Sequence, residues 1–189
     1  MCLGKQDVAN VDVYHVFSSG ANYFDNQMYE APDAATLKLL VHPTFLTDAD
    51  SGDTRVTNNM LVRENTVTYD GLQSYLAPIP YNSSYDPVPI MRAEELQLLQ
   101  AEVHIGTGNY SGAETIMNTI RTAGGVAEYS GTDDINAVNR VLHEKRYSLF
   151  LEGHRLGDMR HYGKTASLPL DREGDAVVTF PIPEMETPG

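Results

Sequence analysis

From Met91 onward the apolar side chains recur with a helical period. Met91, Leu98, Ala101 and Ile105 fall on one face at spacings of seven, three and four, which predicts a helix stopping near Gly106. The stretch Gly106-Thr107-Gly108-Asn109-Tyr110-Ser111-Gly112 reads as a short turn. Ala113, Ile116, Met117 and Ile120 then form a second stripe closed by Gly124-Gly125, so two helices should pack antiparallel. A third, longer helix is expected to be capped by Thr132, Asp133 or Asp134. Its period runs through Ile135, Val138, Leu142, Leu149, Leu156 and Met159, past Gly153 and Gly157. A helical glycine costs about 1 kcal/mol relative to alanine, so close packing should require these two.

The pattern before Met91 is different. The first 77 residues mix short apolar runs, such as Val11-Asp12-Val13-Tyr14, Asn22-Tyr23-Phe24 and Thr66-Val67-Thr68-Tyr69, with turn formers. They read as loops, short strands and at most one helix, Asp33 to Leu40, with Pro32 before its first turn and His42-Pro43 ending it. Pro78, Pro80, Pro87 and Pro89 mark an extended connector, too proline-rich for helix or central strand. From Lys164 the chain returns to turns and one apolar stretch, Val177-Val178-Thr179-Phe180-Pro181-Ile182-Pro183. The expectation is a mainly α fold with long loops and a few short strands. It divides into a loop-rich part at 1–89, a helical scaffold at 90–163 and an extended tail at 164–189.

Charge narrows the function. The 189 residues carry 26 acidic against 13 basic side chains, a net charge of −13, and phosphates repel a field of that sign. Nucleic acid is therefore not an expected partner. With 41% hydrophobic and 21% charged residues the chain is too apolar for a disordered acidic polymer. No apolar run approaches the length of a membrane span, and Met1 to Gln6 does not read as a signal peptide. Cys2 is the single cysteine, which excludes an internal disulfide and any zinc site built on paired thiolates; an incidental thiol is the simpler reading beside a lipidated terminus.

Ionisable groups sit on the apolar faces. Glu95 and Glu102 lie beside the first stripe, and Glu152 lies between Leu149 and Leu156. A half-buried carboxylate needs a cation, and Arg92, Arg121, Arg146 and Arg155 are the candidates for a scaffold pinned by ion pairs. The rival is a carboxylate pair for glycoside hydrolysis. His154, Asp158 and His161 share one helical face in a geometry suited to a metal, but Arg155 and Arg160 crowd it, and Asp158 is more simply paired with one of them. Asp48-Ala49-Asp50-Ser51-Gly52-Asp53 is similar to a calcium-loop start with its glycine one place early, so a solvated turn is the simpler reading. There is no phosphate loop, no G-x-S-x-G and no paired cysteine nucleophile, so neither an enzyme nor a cofactor is expected. Seven of the eleven tyrosines (Tyr14, Tyr23, Tyr29, Tyr69, Tyr75, Tyr81 and Tyr85) precede the helices. A tyrosine on a loop offers a flat apolar face with a polar edge, suited to stacking a sugar; Tyr69, Tyr75 and Tyr81 are the candidate ligand contacts.

Taken in order, these motifs resemble the SusD/RagB family of nutrient-binding outer-membrane lipoproteins. Arg92, Glu95, Leu98, Ala101 and Glu102 are similar to its R-x-x-E-x-x-L-x-x-A-E helix, and Asn118, Ile120 and Arg121 with Ala123-Gly124 to its N-x-[VI]-R segment. Glu144-Lys145-Arg146 through Glu152-Gly153-His154-Arg155 to Asp158-Met159-Arg160 resembles the signature E-[RK]-R-x-E-L-x-x-E-G-x-R-x-x-D-L-R, with Ser148 in place of an acid. Asp53-x-Arg55 is similar to an upstream D-x-R, and Phe180-Pro181-Ile182-Pro183 to the family ending. The resemblance implies the C-terminal portion of such a protein, with tetratricopeptide-like helices and no catalytic chemistry. Its signal peptide and lipid anchor would lie in an N-terminal half. The implied role is capture of an oligosaccharide or other nutrient at the cell surface, as lid of a SusC-like TonB-dependent outer-membrane transporter. A helical-repeat adaptor for a protein partner is the alternative, and a glycoside hydrolase the third. The absence of tryptophan leaves any sugar stacking in this chain to Tyr or Phe.

Overall fold

A computed structural model describes residues 12–18 and 25–171. Its mainly α architecture places three helices beside a strand-and-loop layer. Strand β1 (Val13–His15) pairs antiparallel with β4 (Val88–Met91), while β2 (Met60–Tyr69) and β3 (Leu72–Pro78) form a hairpin. Two short helices, α1 (Thr44–Thr47) and α2 (Thr54–Asn59), precede the hairpin. After β4 come α3 (Ala93–Gly106), α4 (Tyr110–Ala123), α5 (Ala137–Ser148) and α6 (His154–His161).

Helix α3 ends at Gly106 and α4 at Ala123, as the periodicity predicts. Asn109 caps α4 by accepting from the Gly112 N–H. Leu98, Ala101, Ala113, Met117, Ile120, Val141 and Leu149 from the three long helices make one core, each large side chain contributing about 1.5–3 kcal/mol. A second core joins Val41, Phe45, Val56, Met60 and Leu76 to Tyr147 of α5, locking the strand layer onto the helices.

Several expectations need correction. Asp33 to Leu40 is not helical. Arg63 donates to the carbonyls of Pro32 and Ala34, and the Glu30 carboxylate accepts from the N–H groups of Lys38 and Leu39 at 2.8–3.0 Å. Backbone groups that a helix would have paired internally are thus taken by side chains, while Leu37 and Val41 are still buried. The proline-rich connector is extended, as expected, and its end Val88–Met91 bonds to β1 as an edge strand that tolerates Pro89. The long third helix is two helices. Arg92 Nη2 donates to the Ser148 carbonyl, which would otherwise accept from residue 152, and Leu151 and Gly153 take positive φ values of 60° and 82°. Ile135, placed on the buried stripe by the sequence, is 83% exposed before α5 begins, and Ala137 is buried instead. Nothing lies within 4 Å of a Cβ at Gly153 or Gly157, so neither glycine answers to close packing.

The hairpin turn Asp70-Gly71 has φ of 50° and 79°, the pair of positive values that a two-residue turn of matching twist demands. Among the described residues no helix is long and apolar enough to cross a membrane. Cys2, Tyr23 and the stretch Val177 to Pro183 lie outside the described residues.

Candidate functional site

The most deeply held polar cluster sits where α2, α4 and α5 meet. Glu144 is fully buried on α5. One of its oxygens accepts from Arg121 Nη1 at 2.7 Å and from Tyr129 Oη at 2.8 Å, the other from Arg55 Nη1 at 2.7 Å. Asp53 caps α2 through the Arg55 N–H and grips the same guanidinium at Nε and Nη2, 2.9 and 2.8 Å away. Burial alone would lower the pKa of Arg55; the Asp53 and Glu144 carboxylates more than reverse that and raise it. Tyr129 lays its ring against Arg121, 3.8 Å from the guanidinium carbon, and its hydroxyl pKa is raised by burial and by Glu144. Gly124 fits this packing: a Cβ there would stand 3.1 Å from Arg55 Nε and 3.4 Å from Asp53 Oδ1. Asp50, His143 and Glu144 each bring one ligand atom within 4.8 Å of the others, but Arg121 bonds to both Asp50 and Glu144 and already supplies the cation. The charges are mutually satisfied, so this cluster is a pin rather than a reactive centre.

Glu102 pairs with Lys145 at 3.2 Å and accepts from Tyr162 Oη at 3.0 Å, and Lys145 also reaches Asp158. Asp158 is thus held by a lysine, not by Arg155 or Arg160. Arg155 forms no ion pair within 4 Å among the described residues. It donates to the Leu142 carbonyl, and burial with Arg146 nearby lowers its pKa. Glu95 stands 3.7 Å from His154, and Arg146 pairs with Asp48 at 2.9 Å. The His154, Asp158 and His161 face therefore does not gather as ligands. The acids of the Asp48 to Asp53 turn each face a cation instead: Arg146, Arg121 and Arg55.

The cleft suited to a ligand lies on the β1–β4 side. It encloses about 310 Å³, at the lower edge of small-molecule sites, and is lined by Tyr14, Asn58, Tyr81, Pro89, Arg92 and Glu152. Arg92 is placed by the start of α3, where Asp12 accepts from the Ala93 N–H at 2.7 Å and also from the Tyr14 hydroxyl at 3.1 Å. From there Arg92 Nε reaches Glu152 at 2.8 Å and Nη1 reaches Glu94 at 3.2 Å. Burial pushes Glu152 up to about 7; Arg92 offsets only part of this, and Glu94 and Glu95 add to it. Burial and the Glu152 charge likewise raise the Tyr81 hydroxyl pKa. A partly aromatic cleft with a guanidinium, a titrating carboxyl and an amide can stack and hydrogen-bond a polar ring.

The three candidate tyrosines do not converge. Tyr81 lines this cleft, Tyr75 packs against the second core, and Tyr69 stands exposed at the far end of β2. Tyr14 and Asn58 enter the cleft unannounced. For Tyr14 the signal would have been the pairing of β1 with β4 across more than seventy residues, which no local pattern carries; Asn58 is brought in by α2.

A profile of the SusD family matches residues 80–176, more than half of the chain. The chain belongs to the SusD family. The match covers the Arg92–Glu152 pair, Glu144 and the α3–α6 scaffold, and the SusD profile leaves Asp53 and Arg55 outside it. Among solved structures, a SusD superfamily protein of Bacteroides fragilis is similar over 63% of this chain and 28% of its own, at 20% identity and a TM-score of 0.53. A SusD-like protein of the same species gives 20% identity, 59% and 28% coverage and a TM-score of 0.47. A SusD superfamily protein of Bacteroides vulgatus gives 23% identity, 47% and 19% coverage and a TM-score of 0.41. This chain spans less than a third of the length of these SusD structures, and the first likeness shows the fold alone. No curated protein matches.

Proposed function

We propose that this chain serves nutrient capture at the outer-membrane surface, binding an oligosaccharide without transforming it and handing it to a SusC-like TonB-dependent transporter. In this reading the loop-rich part, residues 1–89, supplies the stacking tyrosines, and the helical part, 90–163, holds them in place and adds Arg92 and Glu152 as hydrogen-bonding groups. The observation that carries it is the cleft in which Tyr81 and Tyr14 face the Arg92–Glu152 pair, because it combines a stacking surface with hydrogen-bonding groups. Family membership supplies the context. Glu152 bridged to Arg92 is a positioning and hydrogen-bonding group here, not the general acid of a hydrolase.

The test is calorimetric titration of the protein against a glycan panel, with product analysis on the same mixtures. Tyr81→Ala and Tyr14→Ala should each weaken binding about three- to tenfold, as expected for a stacking contact worth about 0.5–1.5 kcal/mol. Tyr69→Ala and Tyr75→Ala report whether the rest of the loop-rich part contributes. A glycan bound with affinity untouched by all four changes would remove this cleft from the account, and cleaved glycan would return the hydrolase.

A second reading, an adaptor for a protein partner, draws on Leu99 and Val103, which α3 leaves 44% and 65% exposed. Failure of the whole glycan panel together with loss of a copurifying partner in Val103→Asp would favour it.

A further inference from the structure

The cleft on the β1–β4 side is one-sided in charge. Tyr14, Tyr81, Pro80 and Pro89 give it an aromatic and apolar wall, and four charged side chains complete the lining: Arg55, Arg92, Glu94 and Glu152. Both guanidinium groups are already engaged. Arg55 gives Nε and Nη2 to Asp53, and Nη1 to Glu144 and the Ser148 hydroxyl. Each nitrogen of Arg92 also faces an oxygen: Nε that of Glu152, Nη1 that of Glu94, and Nη2 the Ser148 carbonyl. The carboxylates are answered less fully. Glu94 and Glu152 share the single cation of Arg92, and among the described residues neither makes another ion pair. Further acids stand close by, Asp12 holding the Tyr14 hydroxyl at 3.1 Å and Glu95 following Glu94 on α3. Glu152, with its side chain only 10% exposed, registers the shortage of positive charge: burial raises its pKa to about 7, Arg92 offsets only part of this, and Glu94 and Glu95 add to it.

We propose that this cleft selects an amine-bearing sugar, stacking its ring on Tyr81 or Tyr14 and holding its ammonium between Glu94 and Glu152, and that it turns away uronic and sulfated glycans. The inference rests on the nutrient-capture reading and names the ligand class of that same cleft. An ammonium supplies a second cation to two carboxylates that share one, and such charge-assisted hydrogen bonds are roughly twice as strong as neutral ones. A neutral sugar gains only the ordinary bonds. A carboxylate or sulfate meets two acids and no free guanidinium. To reach Arg92 it must displace Glu152, leaving a nearly buried carboxylate without its cation. The net charge of −13 acts in the same sense over a longer range, drawing cations toward the surface and repelling anions.

The experiment titrates the full chain at about pH 7 with three disaccharides of matched size, built from glucosamine, N-acetylglucosamine and galacturonic acid. The glucosamine form should bind about tenfold more tightly than the N-acetylated form, and the uronate more weakly than either. Added salt should shrink that preference. Glu94→Gln, at the more exposed of the two acids, should reduce it, and Glu94→Gln combined with Glu152→Gln should bring it below about twofold. An N-acetylated or uronate disaccharide bound as tightly as the amine, with Tyr81→Ala weakening it, overturns the amine class and leaves nutrient capture standing. A preference that survives both glutamine substitutions overturns the role given to the two acids. Should none of the three bind while another glycan is held through Tyr81, the amine class alone fails; a panel without any binder removes both readings.

Discussion

At Glu144 one buried carboxylate answers two guanidinium groups and a phenol, so its removal strands charges that the core cannot solvate. Glu144→Ala should cost about 3–5 kcal/mol in a urea melt, the range for breaking one partner out of a buried pair. A loss below about 1 kcal/mol would show that water reaches the cluster after all. Glu152 behaves in the opposite sense. Its folded pKa, about 7, lies above that of the unfolded chain, so the native state binds more protons between pH 4.5 and 7 and stability falls as pH rises through that window. From pH 5 to pH 7 the fall should reach about 2 kcal/mol in wild type and vanish in Glu152→Gln, read from melts across pH. Residue type and spacing made the half-buried acids legible. The identity of each partner was not: Lys145, not an arginine, answers Glu102, because a helix register says which face a charge occupies and nothing of the neighbour across it.

The helices show where local pattern suffices and where it fails. Helices α3 and α4 follow their stripes and stop at their glycines and cap. The break between α5 and α6 comes from a tertiary hydrogen bond, Arg92 to Ser148, which periodicity cannot register. The two glycines that the helical period runs past differ in kind. Gly153 sits at φ +82°, so Gly153→Ala should cost about 1–2 kcal/mol. Gly157 lies inside α6 with open space around it, so Gly157→Ala should stabilise by about 0.5–1 kcal/mol. Paired thermal melts decide it; a destabilised Gly157→Ala would mean that something packs on that face. The β2–β3 hairpin had a legible signal in Asp70-Gly71 between apolar runs, whereas β1 with β4 had none.

On the scale of the whole molecule, the strand layer and the helices share one cluster of charges and the second core, so they should melt together. Far-ultraviolet circular dichroism and tyrosine fluorescence are expected to give one coincident transition, and Glu144→Ala should part the two curves. Coincident curves in the variant would leave the apolar contact between Tyr147 and Phe45 as the main tie. The α-helical class and the family were readable because motif and period are local; the ligand cleft was not, because its walls come from four distant stretches. Arg55 and Glu144 lie 89 positions apart, and a ribosome adding roughly 5 to 20 residues per second makes the first of them wait about 4 to 18 s for the second. During vectorial synthesis the Arg55 guanidinium therefore has only its neighbour Asp53 as a carboxylate partner until α5 has been made.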